Sequence, residues 1–197
     1  MASWAPIFFR EVHGVALDSV GRYTVWPMVV GMAGKFGATA LEASLLAEGV
    51  GRLAIRKGCN TCAAVSVSLC TVGFALTPSG SPALACAMYC GSSLGHCLDY
   101  PGFVANSLEV KGEDIGIMGA YSNTLSWVLV FLFGRLFASL KQRSATARQG
   151  WHLLLLGPLV LRTATAIWYL RYASVQSARS QLCGQPHPRA KDKTDEP

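Results

Sequence analysis

The chain has 197 residues, of which 51% are hydrophobic and 14% charged. Average globular sequences carry about a quarter charged residues, so this composition excludes a disordered or highly charged solubilised chain. A net charge of +6 fits a nucleic-acid or membrane-surface partner, and the placement of the charges separates the two.

Residues 58–108 carry Asp99 as their one acid or base charged at neutral pH, residues 115–134 carry none, and residues 151–173 carry Arg162 and Arg171. Roughly 18 or more apolar residues are long enough to cross a hydrocarbon core as a helix. A nucleic-acid binder gathers Lys and Arg on one face. Here they fall between apolar runs and in the tail, the pattern of loops flanking membrane spans. The expected partner is therefore the lipid bilayer, not nucleic acid. No secretory leader is read at the start, where Met1 leads to Trp4 without a basic region or a small-residue cleavage site.

In chain order, residues 1–12 hold Trp4, Phe8 and Phe9 around Pro6. This segment is too short to span and reads as the end of a helix. A turn follows, with Asp18-Ser19 as the predicted N-cap pair. The second element covers 19–47, interrupted by Lys35 and Glu42. Its Gly31, Gly34 and Gly37 let a neighbouring helix approach. Residues 48–57 read as a polar loop carrying Arg52, Arg56 and Lys57. The third element, 55–76, is closed by the turn Thr77-Pro78-Ser79-Gly80. The fourth covers 82–107, with Gly91, Gly95, Gly102 and a predicted kink at Pro101. The fifth covers 112–140 and the sixth 149–171, with Pro158 inside. Residues 181–197 read as a disordered polar tail.

The predicted fold is all-α, a polytopic transmembrane bundle over 1–180 with no internal repeat. A β-barrel would need segments of about ten residues alternating in polarity. For orientation, one side carries Arg52, Arg56, Lys57, Lys111, Arg179, Arg189, Lys191 and Lys193. The other carries Arg10, Arg22, Arg135, Lys141, Arg143 and Arg148. The small excess places the tail in the cytosol or an organelle stroma.

Few residues in these spans can carry chemistry. His96 and Asp99, three apart on one helical face, form a candidate protonatable pair. The alternative is that Asp99 is hydrated near the interface beside Pro101. Arg162 lies within the last span, where facing lipid would cost about 2.5–3.5 kcal/mol. It is expected to face the bundle interior or to snorkel, and a fixed positive charge in a cavity suits an anion. The plainer alternative is a tolerated position. Ser122 and Asn123, beside Tyr121 and Thr124, either hydrogen-bond across helices or line a polar path. Cys59 and Cys62 have the spacing of a redox or zinc pair, but zinc needs two further ligands. Cys86 and Cys90 lie one turn apart and read as small apolar residues. No nucleophile elbow, phosphate loop or metal-binding helix is present. No enzyme activity, cofactor or metal is expected.

Longer strings carry a resemblance. Gly102-Phe103-Val104-Ala105-Asn106, then Glu109, then Gly116-Ile117-Met118-Gly119-Ala120-Tyr121-Ser122-Asn123-Thr124 resemble spans ten and eleven of one family. This is the sodium/phosphate and organic-anion transporter branch of the major facilitator superfamily, which includes vesicular glutamate transporters, sialin and plant plastid anion transporters. Trp4-Ala5-Pro6-Ile7-Phe8-Phe9 is similar to the end of the family's seventh span, and Val25-Trp26-Pro27 to the start of its eighth. Lys35-Phe36-Gly37 through Glu42 resembles its Gly-x-x-x-Asp loop entry, with Glu for Asp. Ile55-Arg56-Lys57 is similar to the start of its ninth span and Tyr172-Ala173-Ser174 to the close of its twelfth. Gly112-Glu113-Asp114 departs from the family's Pro-Arg-Tyr.

The resemblance implies the carboxy-terminal half of the family's fold, from the end of span seven through span twelve. It implies secondary active transport of phosphate or organic anions by alternating access in the full-length form, coupled to sodium ions or protons. The half alone is expected to be inactive and to lack an amino-terminal partner half. Asn106, Ser122 and Asn123, with Asp99 and Arg162, are the expected lining of the substrate path. The loop carboxylate and its basic neighbours are expected to brace helix ends. A non-transporting membrane protein, acting as a structural or regulatory half-transporter partner, is the alternative.

Overall fold

The computed structural model describes residues 4–111, 114–144 and 146–174. Among the described residues the chain is all-helical. It runs α1 (Ala5–His13), α2 (Leu17–Ala47), α3 (Arg52–Leu76), α4 (Pro82–Cys97), a π-helical turn (Tyr100–Val104), α5 (Ala105–Lys111), α6 (Ile115–Arg143) and α7 (Ala147–Tyr172). The expected tail, 181–197, and Gly112-Glu113 lie outside the described residues. Four stretches are long and apolar enough to cross a membrane: Leu17–Ala47, Arg52–Leu76, Ile115–Leu140 and Arg148–Tyr172. At about 1.5 Å per residue each exceeds a hydrocarbon core of about 30 Å.

Several boundaries correct the sequence reading. The expected loop 48–57 is shorter, because α3 opens at Arg52 and takes Arg52, Arg56 and Lys57 into the helix. The cap of α2 is Ala16 rather than Asp18-Ser19. Asp18 falls instead in the first turn, where its charge still favours the helix dipole. The turn after α3 forms as expected. Gly80 adopts φ 86°, a left-handed value that a side chain would oppose, and the Thr77 hydroxyl donates to the Phe74 carbonyl at 2.7 Å.

The largest correction concerns the fourth expected span. Residues 82–107 are not one kinked helix but α4, the π turn and α5 in succession. Pro101 has no N–H to donate and its ring crowds the preceding turn. The chain responds by widening: the Val104 N–H reaches the Asp99 carbonyl at 2.9 Å, five residues back. Such single π turns accommodate a residue that an α-helix cannot.

Glycines set how closely α3 and α4 approach. A Cβ on Gly91 would meet Cys70 Sγ at 2.7 Å, and one on Gly102 would sit 2.8 Å from the Asn60 backbone nitrogen. On α2, Gly34 lies against Leu94 and Cys97, and Gly31 against Ser93. Gly37, also expected at a close contact, faces open space. At the other end an aromatic cluster fastens α1: Phe8, Phe9, Phe74 and Trp151 are almost fully buried, with Phe8 and Phe74 ring centroids 4.3 Å apart. The Trp151 indole N–H donates to Glu11 at 2.9 Å. By contrast, α6 packs chiefly against α7 and exposes Tyr121, Leu125, Trp127 and Phe131. Contiguous apolar surface of this kind calls for a non-aqueous neighbour.

The glycine contacts give a direct test. Gly102→Ala should lower stability by about 1–3 kcal/mol, because backbone rather than a flexible side chain must yield. Gly37→Ala should stabilise by up to about 1 kcal/mol through helix propensity. Unfolding in detergent micelles followed by circular dichroism distinguishes them. Equal effects of the two would refute the close approach of the π turn to α3.

Candidate functional site: two charge clusters in the bundle

The first cluster gathers at the α2–α3 end around Arg56. Its guanidinium is buried, 5% exposed, on the first turn of α3. Nη1 donates to Glu42 of α2 and to the Pro101 carbonyl at 2.7 Å. Nη2 donates to Glu109 of α5 at 2.8 Å, and Arg52 stands 3.9 Å from the same carboxylate. The π turn accounts for one of these bonds. The Ala105 N–H bonds the Gly102 and Tyr100 carbonyls rather than that of Pro101. Arg56 supplies a donor to Pro101 instead. One side chain thus holds four segments together, as a buried cation requires.

The second cluster lies deeper, where α4 ends against α7. Arg162 Nη2 donates to both oxygens of Asp99, at 3.0 and 3.1 Å. His96 Nδ1 lies 3.0 Å from the second oxygen. The His96–Asp99 pairing expected from their spacing is therefore present, and Arg162 completes it from another helix. Pairing removes most of the penalty either charge would carry alone. Asp99 is held by two partners rather than left to water, and Arg162 faces the bundle rather than lipid. Its Nε is buried without a hydrogen-bond partner.

Arg162 also separates two cavities. One, of about 540 Å³, is lined by Thr71, His96, Val130, Phe133, Leu154, Leu159 and Arg162 among others. The other, of about 550 Å³, is lined by Asn60, Asp99, Phe103, Arg162, Trp168 and Tyr169 among others. The Tyr169 hydroxyl donates to the Gly102 carbonyl at 3.4 Å, tying α7 to the π turn.

Of the five expected path residues, Asp99 and Arg162 come together and the other three do not join them. Asn106 is buried on α5 with its Oδ1 unpartnered. Ser122 and Asn123 are exposed on α6, and the Ser122 hydroxyl is spent on the Met118 carbonyl at 2.7 Å. Neither lines a cavity that Arg162 borders. The reason is geometric: α6 packs chiefly against α7, and the exposed Ser122 and Asn123 lie away from that contact. Cys59 and Cys62 are free thiols, as are Cys86 and Cys90, and among the described residues no group of three metal-ligating side chains occurs. The sequence reading passed over Thr165 and Tyr169, although they stand three and seven residues beyond Arg162 and so share its helical face. Against protein-family models, and against curated proteins, the chain finds no match.

The Asp99–Arg162 pair predicts a non-additive cycle. Arg162→Met leaves a partly buried carboxylate without its cation and should cost about 1–3 kcal/mol. Adding Asp99→Asn should recover more than half of that loss, measured by unfolding in micelles. Additive losses would contradict the pairing.

Proposed function

We propose that the chain is a multi-pass membrane protein and the carboxy-terminal half of a major-facilitator-type anion transporter. In this reading α1 is the end of span seven. Helices α2 and α3 are spans eight and nine, α4 through α5 is span ten, and α6 and α7 are spans eleven and twelve. The observation that carries the proposal is the Asp99–Arg162–His96 cluster beside two cavities, with Arg162 inside a helix of membrane length. Charges are rarely kept at that depth unless they serve a substrate or ion path. The ordered sequence resemblance supplies the class of cargo, an inorganic or organic anion.

The Glu42–Arg56–Glu109 cluster fits the same reading. It is the bracing carboxylate and basic pair expected at the helix ends, with Glu109 added. In a rocking-bundle transporter two halves move about a site near the midplane. A buried cation bridging α2, α3 and α5 would keep this half rigid as it moves. One half does not enclose such a site, so transport is assigned to the assembly with an amino-terminal half. Sodium ions or protons would drive it.

Reconstituted alone in proteoliposomes, the 197-residue chain should show no saturable uptake of labelled phosphate or glutamate. Co-reconstituted with a six-span amino-terminal half of the same family type, it should show uptake. Arg162→Gln should then lower that uptake about tenfold or more, as expected for losing a charged hydrogen bond. Saturable uptake by the chain alone would refute the half-transporter reading. A stable assembly of the two halves that moves neither anion would refute anion transport.

A further inference from the structure

The cavity between α6 and α7 has chemistry that transport of a small hydrated anion leaves unused. We infer that it binds a long-chain fatty acid taken from the bilayer, with the carboxyl group on Arg162 and the acyl chain along α6 and α7.

The first observation is the division of polarity. The walls offered by Val130, Phe133, Leu154 and Leu159 are apolar, and the ionisable groups lining the cavity are His96 and Arg162. Asp99 lines the other cavity instead, so this side of the ion pair presents donors and the cationic face. A ligand with one acidic end and a long apolar body matches that division. A small hydrated anion would leave the apolar wall empty.

The second observation is the state of Arg162. Its Nη2 carries both bonds to Asp99, while its Nε–H is buried with no acceptor. Its Nη1 makes no hydrogen bond among the described residues, so a carboxyl oxygen there gains a charge-assisted bond without breaking the pair with Asp99.

The third observation is the route of entry. Helix α6 packs chiefly against α7, and Val130 and Leu161, which line the cavity, are more than half exposed. The seam between these helices therefore opens on the apolar flank, where an acyl chain already resides. A volume of about 540 Å³ lies within the range of about 300–1,000 Å³ usual for small-molecule sites.

The test is photolabelling of the full chain in lipid nanodiscs with a diazirine-bearing palmitate, followed by peptide mapping. Label should fall on α6 and α7 around Val130 and Leu159, and excess palmitate should abolish it. Equal concentrations of hexadecanol or inorganic phosphate should leave it in place. Arg162→Gln should reduce labelling about tenfold. Leu159→Trp, which fills the cavity and leaves the ion pair alone, should do likewise with an unchanged circular dichroism spectrum. Three outcomes would overturn the inference: undiminished labelling in folded Leu159→Trp, displacement by hexadecanol as effective as by palmitate, or displacement by phosphate. Because labelling needs no amino-terminal half, its result is independent of the uptake experiment.

Discussion

Everything at the α2–α3 end of this bundle is arranged around one buried cation. Taking a guanidinium out of water costs several kcal/mol unless charge and hydrogen bonds are returned to it. Arg56 receives Glu42 from α2, Glu109 from α5 and the Pro101 carbonyl from the π turn. The four segments are fixed together because α3 supplies the donor and each of the other three supplies an acceptor. Hydrophobic burial does not do this job: α2 buries little of its surface.

The π turn links that constraint to the deeper cluster. Within residues 99–102 the chain offers the Asp99 carboxylate to Arg162, the Pro101 carbonyl to Arg56 and the Gly102 carbonyl to Tyr169. Gly102 also sits against the Asn60 backbone, with no room for a side chain. A change at Arg162 or Asp99 is therefore transmitted within one turn to the group that braces the helix ends. For a protein proposed to rock between two states, a short rigid coupling between the path-lining charges and the end clasp is mechanically useful. The close glycine seam between α3 and α4 makes the pair behave as one body.

The sequence made the helices legible because hydropathy and membrane thickness depend on local composition. The His96–Asp99 pair was legible for the same reason, since three residues is a fixed helical offset. The turn at Thr77 to Gly80 announced itself by residue type. What stayed hidden needed knowledge of neighbours. Pro101 signals a broken helix but not whether the break is a kink or a widened turn, which here depends on Arg56 and Tyr169 donating to the Pro101 and Gly102 carbonyls. Arg162 lies 63 residues from Asp99, and no spacing rule connects them. Gly34 and Gly37 look alike in sequence, yet one meets Cys97 and the other meets nothing. Ser122 and Asn123 drew attention by polarity within an apolar run. Whether polarity lines a path depends on a facing helix, and α6 has none there.

The most direct measurement is the stability of Arg56 variants of the full chain in bicelles, by reversible unfolding. Arg56→Gln should cost about 3–5 kcal/mol, because two carboxylates lose their shared cation. The triple variant Glu42→Gln, Arg56→Met, Glu109→Gln should recover most of that loss, since it removes the buried charges together. An Arg56→Gln protein as stable as the parent would contradict the account, as would a triple variant less stable than Arg56→Gln alone.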